Sequence, residues 1–363
     1  MHRIHVKINL HDSIAVFEDK IQLFVETSRP FDLPLRRIFK MTSFRRLFKR
    51  HYSILFFGSD AFSIESLKAL SKFNLCVVTP PDVQRQSHHR QVPLKKYCLE
   101  NNIKTFDAPP KTLKGWDPSW LASSSFDLAV VVSFGYFLPR SLLQRFRSAI
   151  NVHPSLLPKY RGPAPIHHTI LNGDTETGIS IIELDPKEFD AGRILKQSKF
   201  SIENHQSIVF RELHDQLAIQ GGFELADTVE HLKEYQSQSV LQDPSRVSHA
   251  KKISKEMSII DWNSHSSLQL DRMHRALGYI FPLTTSYESK RVSFLDIELQ
   301  EPNCGEINSS PGTLYYDKSG LYVKSLNGWI KVNRLKFFGK KEIQAPDFIN
   351  GYLPTSLKSR FHS

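Results

Sequence analysis

The residues whose side chains are best suited to take part in a reaction are Asn151 and His153, in the segment 151–165 (NVHPSLLPKYRGPAP). They are two positions apart, so in an extended chain both side chains project to the same side. An amide N–H and an imidazole on one side can converge on a single carbonyl oxygen. The pair is therefore a candidate site for a ligand carbonyl group, although a histidine after a strand is also compatible with a structural role.

A third polar residue, Asp190, stands in the sequence FDAG at 189–192. An aspartate before a small residue and a glycine is typical of a turn. A carboxylate can also orient an imidazole and carry a proton. The residues alone leave both interpretations open.

The elements before the pair predict an α/β fold. An apolar run at 53–57 (SILFF) ends at Gly58 and is followed by helical spacing over 61–70. Further strands are predicted at 75–79, 127–133 (DLAVVVS) and 149–152, and the continuous apolar run at 127–133 is typical of a buried parallel strand. We expect a Rossmann-like, doubly wound, mostly parallel sheet. Asn151 and His153 then lie at its carboxyl edge, where open α/β sheets bind ligands.

The segment after the pair contains Pro154, Pro158, Pro163 and Pro165, so it predicts a rigid loop rather than a helix. A single glycine after the first strand is not a G-x-G-x-x-G fingerprint, which argues against a dinucleotide site.

The remainder of the chain predicts two further regions. A strand at 178–184 and a long helix at 207–232 complete the first domain, and a polar stretch at 236–246 resembles a linker. One helix and several short β-runs then predict a small, OB-like β-barrel. The expected organisation is an N-terminal segment 1–52, a catalytic domain 53–235, a linker 236–252, a barrel 253–350 and a tail 351–363.

Composition limits the classes of protein that fit. Three scattered cysteines favour a reducing compartment and form no zinc motif. No apolar run approaches the roughly 20 residues that span a bilayer. The net charge of +11 and the pI near 9.4 are typical of a protein with a polyanionic partner.

Part of the positive charge lies in the acid-free stretch 33–53, where basic and apolar residues interleave. This is the composition of a mitochondrial transit peptide, and it predicts import into the mitochondrial matrix. The acids of residues 1–32 weaken that pattern, so translation starting at Met41 and translation starting at Met1 both remain open. A disordered basic tail is the alternative to a transit peptide.

The segment 151–165 resembles the signature of the folate-dependent formyltransferases, which is Asn-x-His followed by Ser-Leu-Leu-Pro and Arg-Gly, with a distant Asp before a small residue and Gly. The resemblance extends to 56–63 (FFGSDAFS), 130–143 (VVVSFGYFLPRSLL) and 171–185 (LNGDTETGISIIELD). The strings at 249–263 (HAKKISKEMSIIDWN) and 310–323 (SPGTLYYDKSGLYV) resemble the extra barrel of the members that formylate initiator methionyl-tRNA. The glycinamide ribonucleotide enzyme lacks this barrel.

The resemblance implies an activity and a set of residues. Asn151, His153 and Asp190 match the catalytic trio, with 10-formyltetrahydrofolate as formyl donor and no metal. The folate pocket is expected from residues of the signature and of the preceding strand end: Ser155, Leu156, Leu157, Pro158, Arg161, Gly162, Ser133 and Gly135.

For the tRNA partner, the resemblance implies a loop after the second strand, here 80–90, that enters the acceptor end. This loop carries Gln, Ser and His where family members often have Gly, Arg and Lys, so its individual contacts cannot be transferred. The expected phosphate contacts come from this region and from the barrel: Arg85, Arg90, Lys95, Lys96, Lys331, Arg334, Lys336, Lys340 and Lys341. A solvated surface loop and a solvated strand face are the alternatives. One tRNA on one basic face suggests a monomer.

Three other functions compete with tRNA formylation. Another formyltransferase of the same family would act on a nucleotide or sugar amine, but the barrel and the transit peptide disfavour it. A non-catalytic RNA-binding relative would have no need for an intact Asn151, His153 and Asp190. Hydrolysis of formyl-folate would require a water site, which a sequence does not reveal.

Overall fold

The computed structural model describes residues 52–85, 88–303, 309–353 and 360–362, and the structural description is restricted to them. The predicted N-terminal segment, apart from Tyr52, lies outside the described residues, as does Cys304.

The first domain is built on strands that alternate with helices along the chain. The strands are β1 Ser53–Gly58, β2 Asn74–Thr79, β3 Val83–Arg85, β4 His88–Arg90, β5 Thr105–Asp107, β6 Leu128–Val132, β7 Ser148–His153, β8 Glu176–Glu183 and β9 Ile194–Ser201. The helices are α1 Ala61–Ala69, α2 Pro93–Glu100, α3 Ser119–Ala122, α4 Arg140–Leu143, α5 Pro165–Asn172, α6 Phe210–Glu230 and α7 Leu232–Ser237. The predicted α/β alternation is confirmed.

Within the described residues these strands form a seven-stranded sheet in the order β5-β2-β1-β6-β7-β8-β9. The pairs from β5 to β7 are parallel, whereas β7–β8 and β8–β9 are antiparallel. The predicted Rossmann-like, mostly parallel sheet is therefore confirmed. Strand β7 lies where the direction changes: Asn151 pairs with Val131 of β6 and Ile182 of β8, and His153 pairs with Ser180 of β8.

The sheet is covered by helices because its central strands are apolar on both faces. Every residue of β6 is buried. Helix α6 buries the predicted row Leu213, Leu217, Gly221, Leu225 and Val229. A Cβ atom at Gly221 would come within 3.2 Å of Val152 Cγ1, so the absence of a side chain lets α6 approach β7 closely.

The second domain is an antiparallel β-structure with two helices. Its elements are α8 Ser267–Leu277, β10 Leu283–Tyr287, β11 Lys290–Glu298, β12 Leu314–Asp317, β13 Gly320–Lys324, β14 Trp329–Phe337, β15 Glu342–Gln344 and α9 Ala345–Tyr352. The strands follow the order β10-β11-β14-β13-β12, with β15 on β14. The predicted hairpin turn is present, since Asp317 pairs with Gly320.

Residues 360–362 close this sheet into a barrel. His362 pairs with Ser286 at the β10 edge, and Arg360 pairs with Thr313 at the β12 edge. Phe361 between them is fully buried and packs on Trp262, Phe294 and Phe348. The expectation of a tail at 351–363 is therefore wrong for these residues. A single apolar residue among polar ones carries no periodic signal, although it fills the barrel core.

Two more regions differ from the expectations. The loop at 80–90 contains the short hairpin β3–β4. The polar stretch from residue 238 onward is ordered against the first domain, because Val240 exchanges backbone hydrogen bonds with Ile194 and Arg161 exchanges them with residues 248 and 250. It joins the two domains, but it is not a loose connection.

Candidate active site

Strand β7 brings Asn151 and His153 to one point at the carboxyl edge, where Asp190 meets them. Asn151 Nδ2 lies 3.3 Å from Asp190 Oδ1. His153 Nδ1 lies 3.5 Å from the same oxygen. The side chains of His153 and Asp190 are 5% and 12% exposed, so water screens this contact weakly. Asp190 is thus in contact with both Asn151 and His153.

The two ring nitrogens of His153 face different groups. Nε2 lies 2.9 Å from the main-chain oxygen of Tyr160. A carbonyl oxygen only accepts, so Nε2 carries the hydrogen in this contact. Nδ1 therefore faces Asp190, and a proton on Nδ1 would lie between the ring and the carboxylate. The Tyr160 carbonyl was not anticipated from the sequence, because a main-chain acceptor has no residue-type signature.

Asp190 is held in an uncommon conformation. Its φ angle is +55°, in the left-handed region that costs energy for residues with a Cβ atom. Its Oδ2 accepts a hydrogen bond of 2.9 Å from the main-chain N–H of Gly162. The turn interpretation of Asp190 and the catalytic one are therefore compatible, since the turn points the carboxylate at β7.

The adjacent strand ends form the other side of the site. Ser133 follows β6 with a φ angle of +49°, and its carbonyl accepts a hydrogen bond from the Ser59 hydroxyl. Gly135 has a φ angle of +79° and open space around its Cα. Asp60, after β1, caps helix α1 by accepting from the Ser63 N–H, and burial raises the pKa of its carboxyl group.

Several residues predicted to bind folate are buried in this structure. Ser155, Leu157 and Pro158 are buried, and Leu157 packs in a small cluster with Ile182 and Ile194. The main chain of this loop is fixed by Ser180 Oγ, which donates to the Ser155 carbonyl at 2.6 Å and accepts from Leu157 N–H at 3.0 Å. These contacts stabilise the loop that follows His153.

The remaining predicted folate residues have different surroundings. Leu156 lines a cavity of about 290 Å³ together with Lys159, Tyr160 and Asp174. None of the trio lines this cavity. Arg161 donates from Nε to Gln242 Oε1 at 2.8 Å and from Nη1 to Glu188 Oε1 at 3.1 Å. Gly162 acts through its N–H to Asp190, as described above.

An apolar surface adjoins Asp190. Phe189 is 55% exposed and packs edge-on against Phe137, with ring centroids 5.0 Å apart. The two rings connect the Asp190 loop to the loop after β6. The sequence marks both as aromatic, but only the fold brings residues 137 and 189 together.

Some of the residues predicted to contact tRNA in the first domain already form ion pairs within the protein. Lys95 pairs with Asp82 at 3.2 Å and Asp107 at 2.9 Å. Burial lowers the pKa of Lys95, but the hydrogen bonds to both carboxylates outweigh it and raise the pKa overall. Lys96 is 63% exposed beside Glu100. Arg85 and Arg90 lie in β3 and β4.

On the barrel, β14 has one buried face and one polar face, as the alternation predicted. Leu335 and Phe337 are buried, whereas Lys336 is exposed. The polar face also carries acids from neighbouring strands, because Glu342 lies 3.6 Å from Arg334 and is the cross-strand partner of Lys336. Lys340 and Lys341 are exposed beyond the strand. The most basic part of this surface is therefore its end at 336–341.

Across residues 52–85, 88–303, 309–353 and 360–362, we find no group of three or more His, Cys, Asp or Glu side chains able to hold a metal ion. In the same residues, no helix has both the length and the apolar character needed to cross a membrane.

The fold and the site together define a formyl transferase, and comparison with known families gives the same result. Residues 65–221 match the formyl transferase family and residues 252–353 match the formyl transferase C-terminal domain. An N-formyltransferase from Helicobacter canadensis, solved with folinic acid and dTDP-3-aminofucose, has a similar fold, with a TM-score of 0.56 over 77% of this chain and 98% of that one. Its sequence identity is 17%.

Sequence relatives specify the branch of the family. The mitochondrial methionyl-tRNA formyltransferase of Rattus norvegicus is 33% identical, over 87% of this chain and 82% of its own length. The methionyl-tRNA formyltransferase of the bacterium Streptococcus agalactiae is 34% identical, over 82% of this chain and 95% of its own length. The chain therefore belongs to the methionyl-tRNA formyltransferase family.

Proposed function

We propose that this protein transfers the formyl group of 10-formyltetrahydrofolate to the amino group of methionyl initiator tRNA in the mitochondrial matrix. The observation that carries the proposal is the contact among Asn151, His153 and Asp190 at the carboxyl edge of the sheet. Family membership supports the choice of acceptor.

In this reaction the amine attacks the formyl carbon, and the carbonyl oxygen becomes negatively charged. Asn151 has two amide hydrogens, and its contact with Asp190 uses one of them. The second is available for the developing oxyanion. A lost donor of this kind costs on the order of 100- to 1,000-fold in rate.

His153 acts beside Asn151 through Nδ1. Since Nε2 is engaged with the Tyr160 carbonyl, the ring orientation is set from behind and Nδ1 faces the reacting edge. A hydrogen on Nδ1 can be donated to the oxyanion from a position next to Asp190. The ring therefore offers a donor at a fixed position, with Nε2 held by the Tyr160 carbonyl.

Asp190 carries the proton. Attack forms a C–N bond between the formyl carbon and the amine, which must lose one proton. Collapse breaks the bond to the folate nitrogen, which must gain one proton. The Asp190 carboxylate, in contact with Asn151 and His153, can accept the proton from the amine and then donate a proton to the folate nitrogen. The step is therefore balanced without a metal or a covalent enzyme intermediate.

The donor side of the site is assigned to the loops after β1 and β6. Ser133 and Gly135 bend the chain at this edge, and the rings of Phe137 and Phe189 supply an apolar surface next to Asp190. A flat, partly apolar folate ring system suits such a surface. A folate-type ligand is also named for the structure from Helicobacter canadensis.

The acceptor tRNA is assigned to the barrel end at 336–341 and to the exposed Lys96. Exposed lysines give phosphate contacts and salt-dependent affinity, and Lys340 and Lys341 lie beyond the strand pairing that brings Glu342 opposite Lys336. The acid-free basic stretch at 33–53 supports matrix import, and mitochondrial relatives support the same compartment. One basic barrel end per chain suits a monomer binding one tRNA.

A formyl-transfer assay tests the proposal. The purified protein and 10-formyltetrahydrofolate are incubated in turn with methionyl-tRNA, glycinamide ribonucleotide, a dTDP-amino sugar and no acceptor. We expect formylated methionine in the first reaction alone. Transfer to a small acceptor would favour the other branches of the family, and release of formate without acceptor would favour hydrolysis.

A further inference from the structure

Gln242 lies in the polar segment that joins the domains, yet it is 7% exposed and faces the Asp190 loop. Its Nε2 donates to the Asp190 carbonyl at 2.7 Å and to the Gly192 carbonyl at 2.8 Å. Its Oε1 accepts from Arg161 Nε at 2.8 Å. The amide nitrogen and the amide oxygen of Gln242 thus both form hydrogen bonds with the two loops that flank the site, the Asp190 loop and the loop that contains Arg161.

These contacts fix Asp190 from the side opposite to its carboxylate. The main-chain oxygen of Asp190 is held by Gln242, and its Oδ2 is held by the N–H of Gly162. A residue with a φ angle of +55° needs such external contacts, because its own backbone preference opposes the conformation. Rotation of this main chain would turn the carboxylate away from His153.

The same segment also fixes the loop that carries Gly162. Arg161 N–H donates to the Ser248 carbonyl at 2.8 Å, and Ala250 N–H donates to the Arg161 carbonyl at 2.7 Å. The segment is itself attached to the sheet, since Val240 and Ile194 exchange hydrogen bonds of 2.8 and 3.0 Å. It therefore connects β9, the Asp190 loop and the Gly162 loop.

We infer that Gln242 is a positioning residue for the formyl transfer: it sets the main chain of Asp190 so that the carboxylate meets Asn151 and His153. The inference rests on the proposed function. It assigns the segment between the domains to the catalytic apparatus, although the Gln242 side chain contacts the trio only at the main-chain oxygen of Asp190. The effect on catalysis passes through Asp190.

Two substitutions separate the contacts that Gln242 makes. Gln242→Glu keeps an acceptor for Arg161, but it removes both N–H donors and places a carboxylate against two carbonyl oxygens. Gln242→Met keeps the length and removes all three contacts. If Asp190 is the target, both variants should lose turnover by on the order of 10- to 100-fold, because small displacements of catalytic groups have effects of that size.

The kinetic pattern distinguishes positioning from binding and folding. We expect the loss in kcat, with the KM values for methionyl-tRNA and for the formyl donor changed less than about threefold. The matched control is Gln236→Met, which removes comparable hydrogen bonds to Ser148 Oγ and Glu183 Oε1 at the far end of β7 and β8. Its thermal unfolding should shift by a similar amount while kcat stays near that of the native protein.

A double-mutant cycle with Asp190→Asn gives the decisive result. A residue that acts through Asp190 should lose most of its effect once that carboxylate is gone, so Gln242→Met should slow the Asp190→Asn protein less than about threefold. Full additivity, or a normal kcat in Gln242→Glu, would overturn the inference. An inactive native protein in the same assay would instead contradict the proposed function.

Discussion

At the scale of single residues, the site divides His153 between two acceptors with different tasks. The Tyr160 carbonyl holds Nε2 and sets the ring plane, while Asp190 faces Nδ1. The ring is buried, so water cannot replace a hydrogen-bond partner that is lost at either nitrogen. Each member of the trio can therefore be tested separately from the surfaces that bind substrates.

His153→Ala should reduce turnover by at least about 100-fold, because it removes a hydrogen-bond donor next to the oxyanion. Affinity for tRNA should remain, since His153 is buried at the sheet edge rather than on a basic surface. Single-turnover formylation and filter binding measure the two quantities. His168→Ala is the control, because His168 contacts the Lys251 carbonyl outside the trio. Near-normal turnover in His153→Ala would end the proposed mechanism.

Asp190→Asn should keep the fold and lose activity. An asparagine side chain can still accept from the Gly162 N–H, but it cannot carry the amine proton to the folate nitrogen. Unfolding temperature and kcat report the two effects. Asp185→Asn is the control within the same loop, since Asp185 accepts from the Lys187 and Glu188 N–H groups. A normal rate in Asp190→Asn would reduce Asp190 to a turn residue.

At the scale of elements, the barrel strand β14 combines a packed face with a polar face whose charges are unevenly compensated. Arg334 has Glu342 nearby, whereas Lys340 and Lys341 extend beyond the strand pairing. Compensated charges release fewer counterions when a polyanion binds. The position of a lysine relative to neighbouring acids should therefore decide its contribution.

Replacing Lys336, Lys340 and Lys341 together with Gln should weaken tRNA binding and reduce the slope of log affinity against log salt by up to about 3. Folate binding should not change. Titrations at several salt concentrations measure the slope. Arg334→Gln on the same strand is the matched control and should have a smaller effect because of Glu342. A slope unchanged in the triple variant would mean that this surface faces another partner.

Helix α5 contacts the second domain through a ring stack. His167 stacks on Phe210, which stacks on Tyr279, with centroid distances of 4.0 and 4.7 Å. Burial lowers the pKa of His167 to about 4, with further lowering from His168 and His214. The folded protein thus binds this proton less readily than the unfolded chain, whose histidine titrates near 6.5.

Stability should accordingly fall as the pH is lowered from about 6.5 towards 4, because the unfolded state takes up the proton first. His167→Phe keeps an aromatic ring in the stack and removes this titration, so its unfolding temperature should depend less on pH in that interval. Calorimetry of both proteins at several pH values provides the comparison. Equal pH dependence would show that His167 contributes nothing to it; His205→Phe is a control outside the stack.

At the scale of the whole molecule, the segment that connects the two domains is ordered against the first. Gln242 reaches the Asp190 loop, and Arg275 of α8 donates to the carbonyls of His205 and Ile208. The second domain is therefore attached to the first at two places, through the connecting segment and through α8.

The subcellular location of the protein is a separate property, which we expect residues 1–51 to determine. The matrix is negative inside, so the cationic sequence at 33–53 should be drawn inward, while the acids of 1–32 oppose this. A product starting at Met41 should import at least as well as one starting at Met1. Reporter fusions and cell fractionation measure both. Replacing Arg45, Arg46, Lys49 and Arg50 with Gln should abolish import, and a cytosolic location of both products would contradict the targeting claim.

Local patterns in the sequence determined much of the architecture. Apolar runs predicted β1, β2, β6 and β7, and four-residue spacing predicted α6, because these signals reflect burial on a regular element. Asn151 and His153 could be paired from their spacing, since strand geometry alone puts them on one side. Resemblance to the formyltransferases added Asp190, whose own neighbourhood also fits an ordinary turn.

Tertiary structure decided what depends on contacts between distant segments. Gln242 and Phe361 lie in polar stretches that look like a linker and a tail, yet one is buried against Asp190 and the other fills the barrel. Ser155 and Leu157 belong to the signature but are buried as supports. Burial and hydrogen bonding of an isolated residue depend on which surface it meets, and no periodicity along the chain encodes that partner.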